Sequence, residues 1–304
     1  MTRFIPSVYT LVFMVALPLN VMAIFIFLIK IKVRKPAVVY MLNLAIADVL
    51  FIIFLPFTII YRFSGNDWRI GEGMCRLVTA AFNCNMYCSV LLMTSISVDR
   101  FLAVVYPIQS LYWRTTTRAW MACILTWILA VSSTVPLLIT QQTYHIKTLN
   151  ITTCYDMLPV EVRRNFYAYY FTTYISLLFF LPLIITTFCY IGVIRKLSST
   201  VIVSKFSRSR AVVLTVTVLC VFVLGFGPAN IIFFFHYLSF YKKPSEMLYV
   251  MYIVCVCISS ISCCLDPLIY YYGFSKCQTY LQSLMCCKTE SGSKGERTNR
   301  SKCT

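Results

Sequence analysis

Charge is scarce in this 304-residue chain. Asp, Glu, Lys and Arg together make up 12% of it, about half of what a soluble domain carries. With 60% hydrophobic residues and a mean hydropathy of +0.78, that scarcity excludes an ordinary soluble domain and points to a membrane protein. Histidine is scarcer still. Only His145 and His236 occur, with no H-E-x-x-H pattern, which excludes the clustered ligands of a membrane hydrolase. No lysine falls between Met247 and Tyr272, so the last apolar run lacks the lysine that a microbial-type retinal pump requires. No signal peptide is evident: the first apolar run is too long for an h-region and no A-x-A-like site follows it. No internal repeat is present either, which argues against inverted-repeat transporters.

What is present is a series of seven apolar runs, each long enough for a hydrocarbon core of ~30 Å. They lie at about 8–29, 38–61, 77–102, 119–139, 167–194, 211–238 and 247–272. Short connections predict one compact all-α bundle of seven transmembrane helices. Residues 1–7 form a short extracellular start, 273–287 an amphipathic helix on the membrane surface, and 288–304 a polar, disordered tail. Basic residues outnumber acidic ones 27 to 10, for a net charge of +17. Such an excess can mark nucleic-acid binding, but its distribution decides otherwise. Eighteen Lys and Arg fall on the side bearing the tail and nine on the other, which places the tail in the cytoplasm and the amino terminus outside. The charge therefore faces anionic lipid and cytoplasmic partners at a plasma membrane.

Fifteen cysteines would suggest a disulfide scaffold in a secreted domain, but most lie within apolar runs as small buried thiols. Cys75 and Cys154 are the two in outer loops, and a bridge between them would tie the second outer loop to the top of the third span. Asn150-Ile151-Thr152 is a glycosylation acceptor in the same loop. Cys286 and Cys287 follow the amphipathic stretch and are palmitoylation candidates. Six spans contain proline (Pro18, Pro56, Pro136, Pro182, Pro228, Pro267), each freeing a carbonyl that a neighbour must satisfy.

Asp48 and Asp266 interrupt apolar runs, where a carboxylate costs about 2.5–3.5 kcal/mol, so each should face the bundle interior and find a partner. With Ser89 and Asn20 nearby they suit a hydrated Na+ or one shared proton, or hydrogen bonds alone. Asp99 and Arg100 close the third span, either as an interfacial pair or as part of a switch in which Tyr190 and Tyr270 converge on the guanidinium. Tyrosines and His236 crowd the outer ends of the last three spans, as an interfacial belt or as a pocket. Asp156, two residues after Cys154, would be held over the bundle mouth to meet a cationic peptide end.

Asn20, Leu44-Ala-Ile-Ala-Asp48, Cys75, Asp99-Arg100-Phe101, Trp127, Pro182, Tyr190, Phe226-Gly-Pro228 and Asp266-Pro-Leu-Ile-Tyr270 resemble the signature of rhodopsin-like (class A) G-protein-coupled receptors. Phe101 stands for the commoner Tyr and Asp266 for the commoner Asn. Lys35-Pro-Ala-Val-Val-Tyr-Met41, Phe63-Ser-Gly-Asn-Asp-Trp68 and Asn150-Ile-Thr-Thr-Cys-Tyr-Asp156 are similar to the protease-activated receptors, of the thrombin-receptor type. The resemblance implies no enzyme but a receptor for a tethered or free peptide agonist, coupled to heterotrimeric G proteins and attended by arrestin and receptor kinases. It implies a pocket of Asp156, Leu158, His236, Tyr237, Tyr249 and Tyr252. It implies an allosteric sodium ion at Asp48, Ser89 and Asp266, and no other cofactor. The switch would comprise Asp99, Arg100, Tyr190, Phe226, Pro228 and Tyr270, with Ile108 docking the G protein. Asn83 replaces a pocket tyrosine. Only Met1–Pro6 precede the first span, with no recognisable cleavage site, so the expectation is the transmembrane part of a longer receptor. A receptor for a free peptide, lipid or nucleotide, or an ion-coupled transporter working through Asp48 and Asp266, remains open at this point.

Overall fold

The computed structural model describes residues 3–31, 33–155, 168–199, 205–238 and 246–273. Among them seven helices are long and apolar enough to cross a membrane: Phe4–Ile31, Pro36–Phe63, Glu72–Val105, Thr116–Ile139, Thr172–Ser199, Val212–Ile232 and Ile253–Tyr271. The first four begin a few residues before the apolar runs do; in the third and fourth, polar residues such as Glu72, Arg76, Thr116 and Arg118 form the added turn. Local chemistry sets the starts. Pro36 occupies the first turn of the second span, where a missing N–H costs nothing. The Thr115 hydroxyl accepts from Arg118 N at 3.3 Å to cap the fourth span. The stretch 274–304, with the expected amphipathic helix, Cys286 and Cys287, lies outside the described residues.

Four of the six prolines stand where a helix restarts. Pro56 opens the segment Leu55–Phe63 and Pro136 opens Val135–Ile139, each in the first helical turn. Pro182 and Pro228 follow wide, π-type turns at Ser176–Phe180 and Val221–Phe226. A proline inside an unbroken helix costs about 3 kcal/mol; a break or a widened turn just upstream avoids most of that clash. Only Pro18 and Pro267 lie inside continuous helices.

The third span is the axis of the bundle and packs against the second, fourth and fifth, while the first packs against the second and seventh. Its inward face carries Asn83, Asn85, Ser89, Ser97 and Asp99, all buried, among Met86, Leu92, Phe179, Phe222 and Tyr270 of the main apolar core. One element departs from the all-helical expectation. Residues Thr143–Ile146 (β1) pair antiparallel with Ile151–Cys154 (β2), in register Thr143 to Cys154 and Ile146 to Ile151. Asn150 sits exposed in the intervening turn at φ 50°, a left-handed conformation that asparagine tolerates well.

Candidate functional site

At one end of the bundle the hairpin forms a lid, anchored from both strands. Cys154, which ends β2, is bridged to Cys75 at the head of the third span, with a Cα–Cα distance of 5.7 Å. The same strand is pinned to the loop after the second span. Trp68 N donates to Thr152 O (2.7 Å), Thr152 N to Asp67 Oδ1 (3.0 Å) and Cys154 N to the Tyr61 hydroxyl (3.3 Å). The Thr152 N–H and the Arg69 guanidinium hold the Asp67 carboxyl below the usual carboxylate range. The leading edge of β1 hangs on Glu72, whose carboxylate accepts from Gln142 N (2.7 Å), Thr143 N (2.9 Å) and the Thr143 hydroxyl. Arg76 Nε braces it at 2.7 Å.

Beneath the lid a cleft of about 730 Å³, measured out to its open mouth, lies between the first, second, third and seventh spans. Tyr9, Phe51, Phe82 and Ile253 give it an apolar body; Thr58, Arg62, Asn83 and Tyr155 give it polar points. The Arg62 guanidinium lies 4.9 Å over the Tyr61 ring and donates to Asn66 Oδ1 at 2.9 Å. Asn83 Nδ2 donates to Thr79 O at 2.9 Å, which leaves its Oδ1 buried without a partner at the wall of the cleft. Of the pocket residues read from the sequence, Asp156 and Leu158 lie outside the described residues. The helices bearing His236, Tyr237, Tyr249 and Tyr252 are described, but those side chains are not. Tyr9, Tyr61 and Arg62 were missed, since an aromatic at a helix end reads equally well as an interfacial belt.

Halfway down, the structure brings the two buried acids together. Asp48 and Asp266 interact directly, with Cys263 beside both. Asn85, not singled out by sequence reasoning, donates to Asp48 Oδ1 at 3.0 Å. Asp48 Oδ2, both Asp266 oxygens and the Ser89 hydroxyl, one helical turn after Asn85, are buried without a hydrogen-bond partner. Like charges in such contact cannot both ionise unanswered. Asn20 does not join them; its Nδ2 ties the first span to the seventh through Cys263 O at 2.9 Å.

The opposite end differs from the expected convergence. Asp99 does not pair with its neighbour Arg100. Both of its oxygens are taken by Arg114, Nε to Oδ1 at 2.7 Å and Nη2 to Oδ2 at 2.8 Å. Arg100 lies within electrostatic reach of the Tyr190 phenol, whose oxygen accepts from Ser97 at 2.7 Å. Tyr270 is not at the guanidinium; it turns toward Asn20 Oδ1 (3.5 Å) and sets its ring edge-on to Phe27. Phe226 and Pro228 lie at the wide turn of the sixth span, where Gly225 O accepts from the Ser259 hydroxyl of the seventh at 2.7 Å. Phe101 packs against Phe188 and onto Gly192 of the fifth span, where any Cβ would collide with the ring. Ile108, on the short helix Pro107–Trp113, is 84% exposed.

Residues 19–270 match the family described as 7 transmembrane receptor (rhodopsin family). Similarity extends along nearly the whole chain to named relatives. A proteinase-activated receptor 1 from Xenopus laevis is 60% identical over 288 residues, 95% of this chain and 68% of that protein. The Homo sapiens proteinase-activated receptor 1 is 56% identical over 293 residues, 96% and 69% of the two chains. A proteinase-activated receptor 2 from Bos taurus is 37% identical over 290 residues, 95% and 73%. These relatives are receptors and not enzymes, and they favour neither the transporter nor the lipid or nucleotide ligand. A bundle with an inward acid pair, a disulfide-tethered lid and this degree of identity belongs to the rhodopsin family of seven-transmembrane, G-protein-coupled receptors, and within it to the proteinase-activated receptors.

Proposed function

We propose that the chain binds a peptide agonist, tethered after proteolysis or supplied free, beneath the hairpin lid and transmits its arrival to a heterotrimeric G protein at the Asp99 end. The calcium and phosphoinositide route is the expected output. The observation that carries the ligand reading is Asn83. Its buried Oδ1 lies at the wall of the cleft without a hydrogen-bond partner, and a peptide N–H or ammonium is the group that would relieve it. Asp156, directly after Tyr155 of the cleft wall, supplies the negative charge for a cationic peptide end, and Leu158, His236, Tyr237, Tyr249 and Tyr252 complete the pocket. The lid end is extracellular at the plasma membrane, with Asn150 glycosylated. The Asp99 end faces the cytoplasm, where Cys286 and Cys287 would anchor the tail to lipid, and arrestin and kinases would act on its serines and threonines.

The unsatisfied oxygens of Asp48, Asp266 and Ser89 fit a sodium ion, which when bound supplies the positive charge that lets both carboxylates ionise. Asn85 orients Asp48 for that role. Expressed at the cell surface, the chain should raise calcium or GTPγS binding when given a soluble peptide that mimics a tethered agonist. Asp156→Ala and Asn83→Leu should weaken the peptide about tenfold or more, the scale of one buried polar contact. Arg100→Ala should abolish coupling while leaving peptide binding intact. A chain that reaches the surface yet responds to no such peptide would sink the ligand reading.

A further inference from the structure

We infer that the seam between the second and fourth spans, at the end bearing Asp99, binds the headgroup of a polyanionic phospholipid through Arg34, Lys35 and Arg118. The inference rests on the reading that this end faces the cytoplasmic leaflet, where anionic lipids are concentrated. Positive charge collects here without an answer. The sequence has no acidic residue between 1 and 47 or between 100 and 155, while Lys30, Lys32, Arg34 and Lys35 crowd the six positions ahead of the second span. Asp99 is the acid at this end of the third span, and Arg114 forks onto both of its oxygens. Arg34, Lys35 and Arg118 are exposed, and the ion pairs among the described residues do not include them. A basic pocket between spanning helices at this level suits an anionic headgroup.

A scatter of surface cations would satisfy the positive-inside bias and nothing more. Three features build these into a site. The two segments that carry them are tied together, because the Thr116 hydroxyl donates to Arg34 O at 3.3 Å. The cations stand at fixed helix starts. Lys35 directly precedes Pro36 and its carbonyl accepts from Val38 N at 3.0 Å, while Arg118, in the first turn of the fourth span, sets Nη1 on Trp113 O at 3.3 Å. Deeper in the seam Trp127 Nε1 donates to Asn43 Oδ1 at 3.0 Å, so the two spans keep their spacing. The depth also fits. Trp113 and Trp120, two of the four tryptophans in the chain, flank Arg118 and are 46% and 39% exposed, as indoles at headgroup level are. Beyond them Met121, Ile124 and Ile128 form an exposed apolar stripe on the fourth span, at one-turn spacing, along which an acyl chain can lie. Three cations exceed what the single net charge of phosphatidylserine needs, which points to a headgroup carrying several phosphates.

The test titrates the purified chain in detergent with phosphatidylinositol bisphosphate, bound lipid being counted by native mass spectrometry. Arg34→Gln with Lys35→Gln should weaken binding roughly tenfold, and Arg118→Gln alone about fivefold, the scale of cations at a membrane surface. Arg195→Gln with Lys196→Gln removes two exposed cations from the end of the fifth span and should leave binding within about twofold. Thr116→Val keeps every charge but cuts the tie to Arg34, and should weaken binding severalfold, the scale of one hydrogen bond. An equal loss at the fifth-span pair, or phosphatidylserine bound as tightly, would reduce the seam to general surface charge and overturn the inference. Soluble inositol trisphosphate bound as tightly as the lipid would overturn it too, since the apolar stripe would then contribute nothing. Both ends of the chain are open to lipid in detergent, so failure there is failure of the site. A tail epitope shielded from protease in intact cells tests the orientation on its own.

Discussion

Asp266 stands where a neutral asparagine is commoner in the family pattern, and the structure shows what the extra charge entails. Two carboxyl groups are buried side by side, and the amide of Asn85 donates to Asp48 but not to Asp266. Removing an unanswered buried charge is stabilising, whereas removing a charge that a cation answers removes the cation with it. Asp266→Asn is therefore expected to raise the melting temperature in choline chloride and to abolish the further rise that sodium chloride gives the parent receptor. Thermal unfolding of the purified protein in the two salts measures both effects. A parent receptor whose melting ignores sodium would leave the pair as two acids sharing a proton.

At the scale of the helices, the bond from Ser259 to Gly225 O is the clearest link between the sixth and seventh spans. The wide turn at Val221–Phe226 lies just before Pro228, and the hydroxyl of Ser259 donates to one of its carbonyls. A sixth span that swings about Pro228 must break that bond. Ser259→Ala should then favour the displaced state by about 0.5–1.5 kcal/mol and raise agonist-independent nucleotide exchange several-fold. A basal rate equal to the parent's would mean that the bond is not strained in the transition. The spans themselves were legible in the sequence because twenty apolar residues admit few other readings. Which proline restarts a helix and which is tolerated inside one was not, since that depends on neighbours such as Ser259. The hairpin was missed because Thr143-Tyr-His-Ile146 is short and polar, and its pairing is enforced by Glu72, seventy residues away in sequence. Asp99 was read as a partner for the adjacent Arg100 because sequence adjacency is visible, whereas a turn that returns Arg114 fifteen residues later is not.

Over the whole molecule, the third span carries a contact at three depths: the bridged lid at Cys75, the acid pair beside Ser89, and the fork at Asp99. The lid is the layer that a ligand would meet first, and its two strands are held by unlike means. A covalent bond and Asp67 secure β2; the leading end of β1 depends on the carboxylate of Glu72 and on the bond from Tyr155 N to Gln142 O at 2.8 Å. Charge-assisted bonds from two backbone amides, a hydroxyl and Arg76 converge on that one side chain, and Gln in its place cannot accept all of them. Glu72→Gln should loosen β1 while the bridge keeps β2 in place. The expected signature is a roughly tenfold loss of peptide potency with little change in the melting of the bundle, whereas loss of the Cys75–Cys154 bridge should lower both. Acid should not mimic this through Asp67. Its pKa is lowered in the folded chain, so its contribution is complete above the ordinary value near 3.9 and disappears only as pH falls through the depressed one. Peptide potency measured from pH 7.5 down to about 5.5 should hence show no step due to this carboxylate. A step in that range that disappears in Asp67→Asn would show that the lid is hung differently.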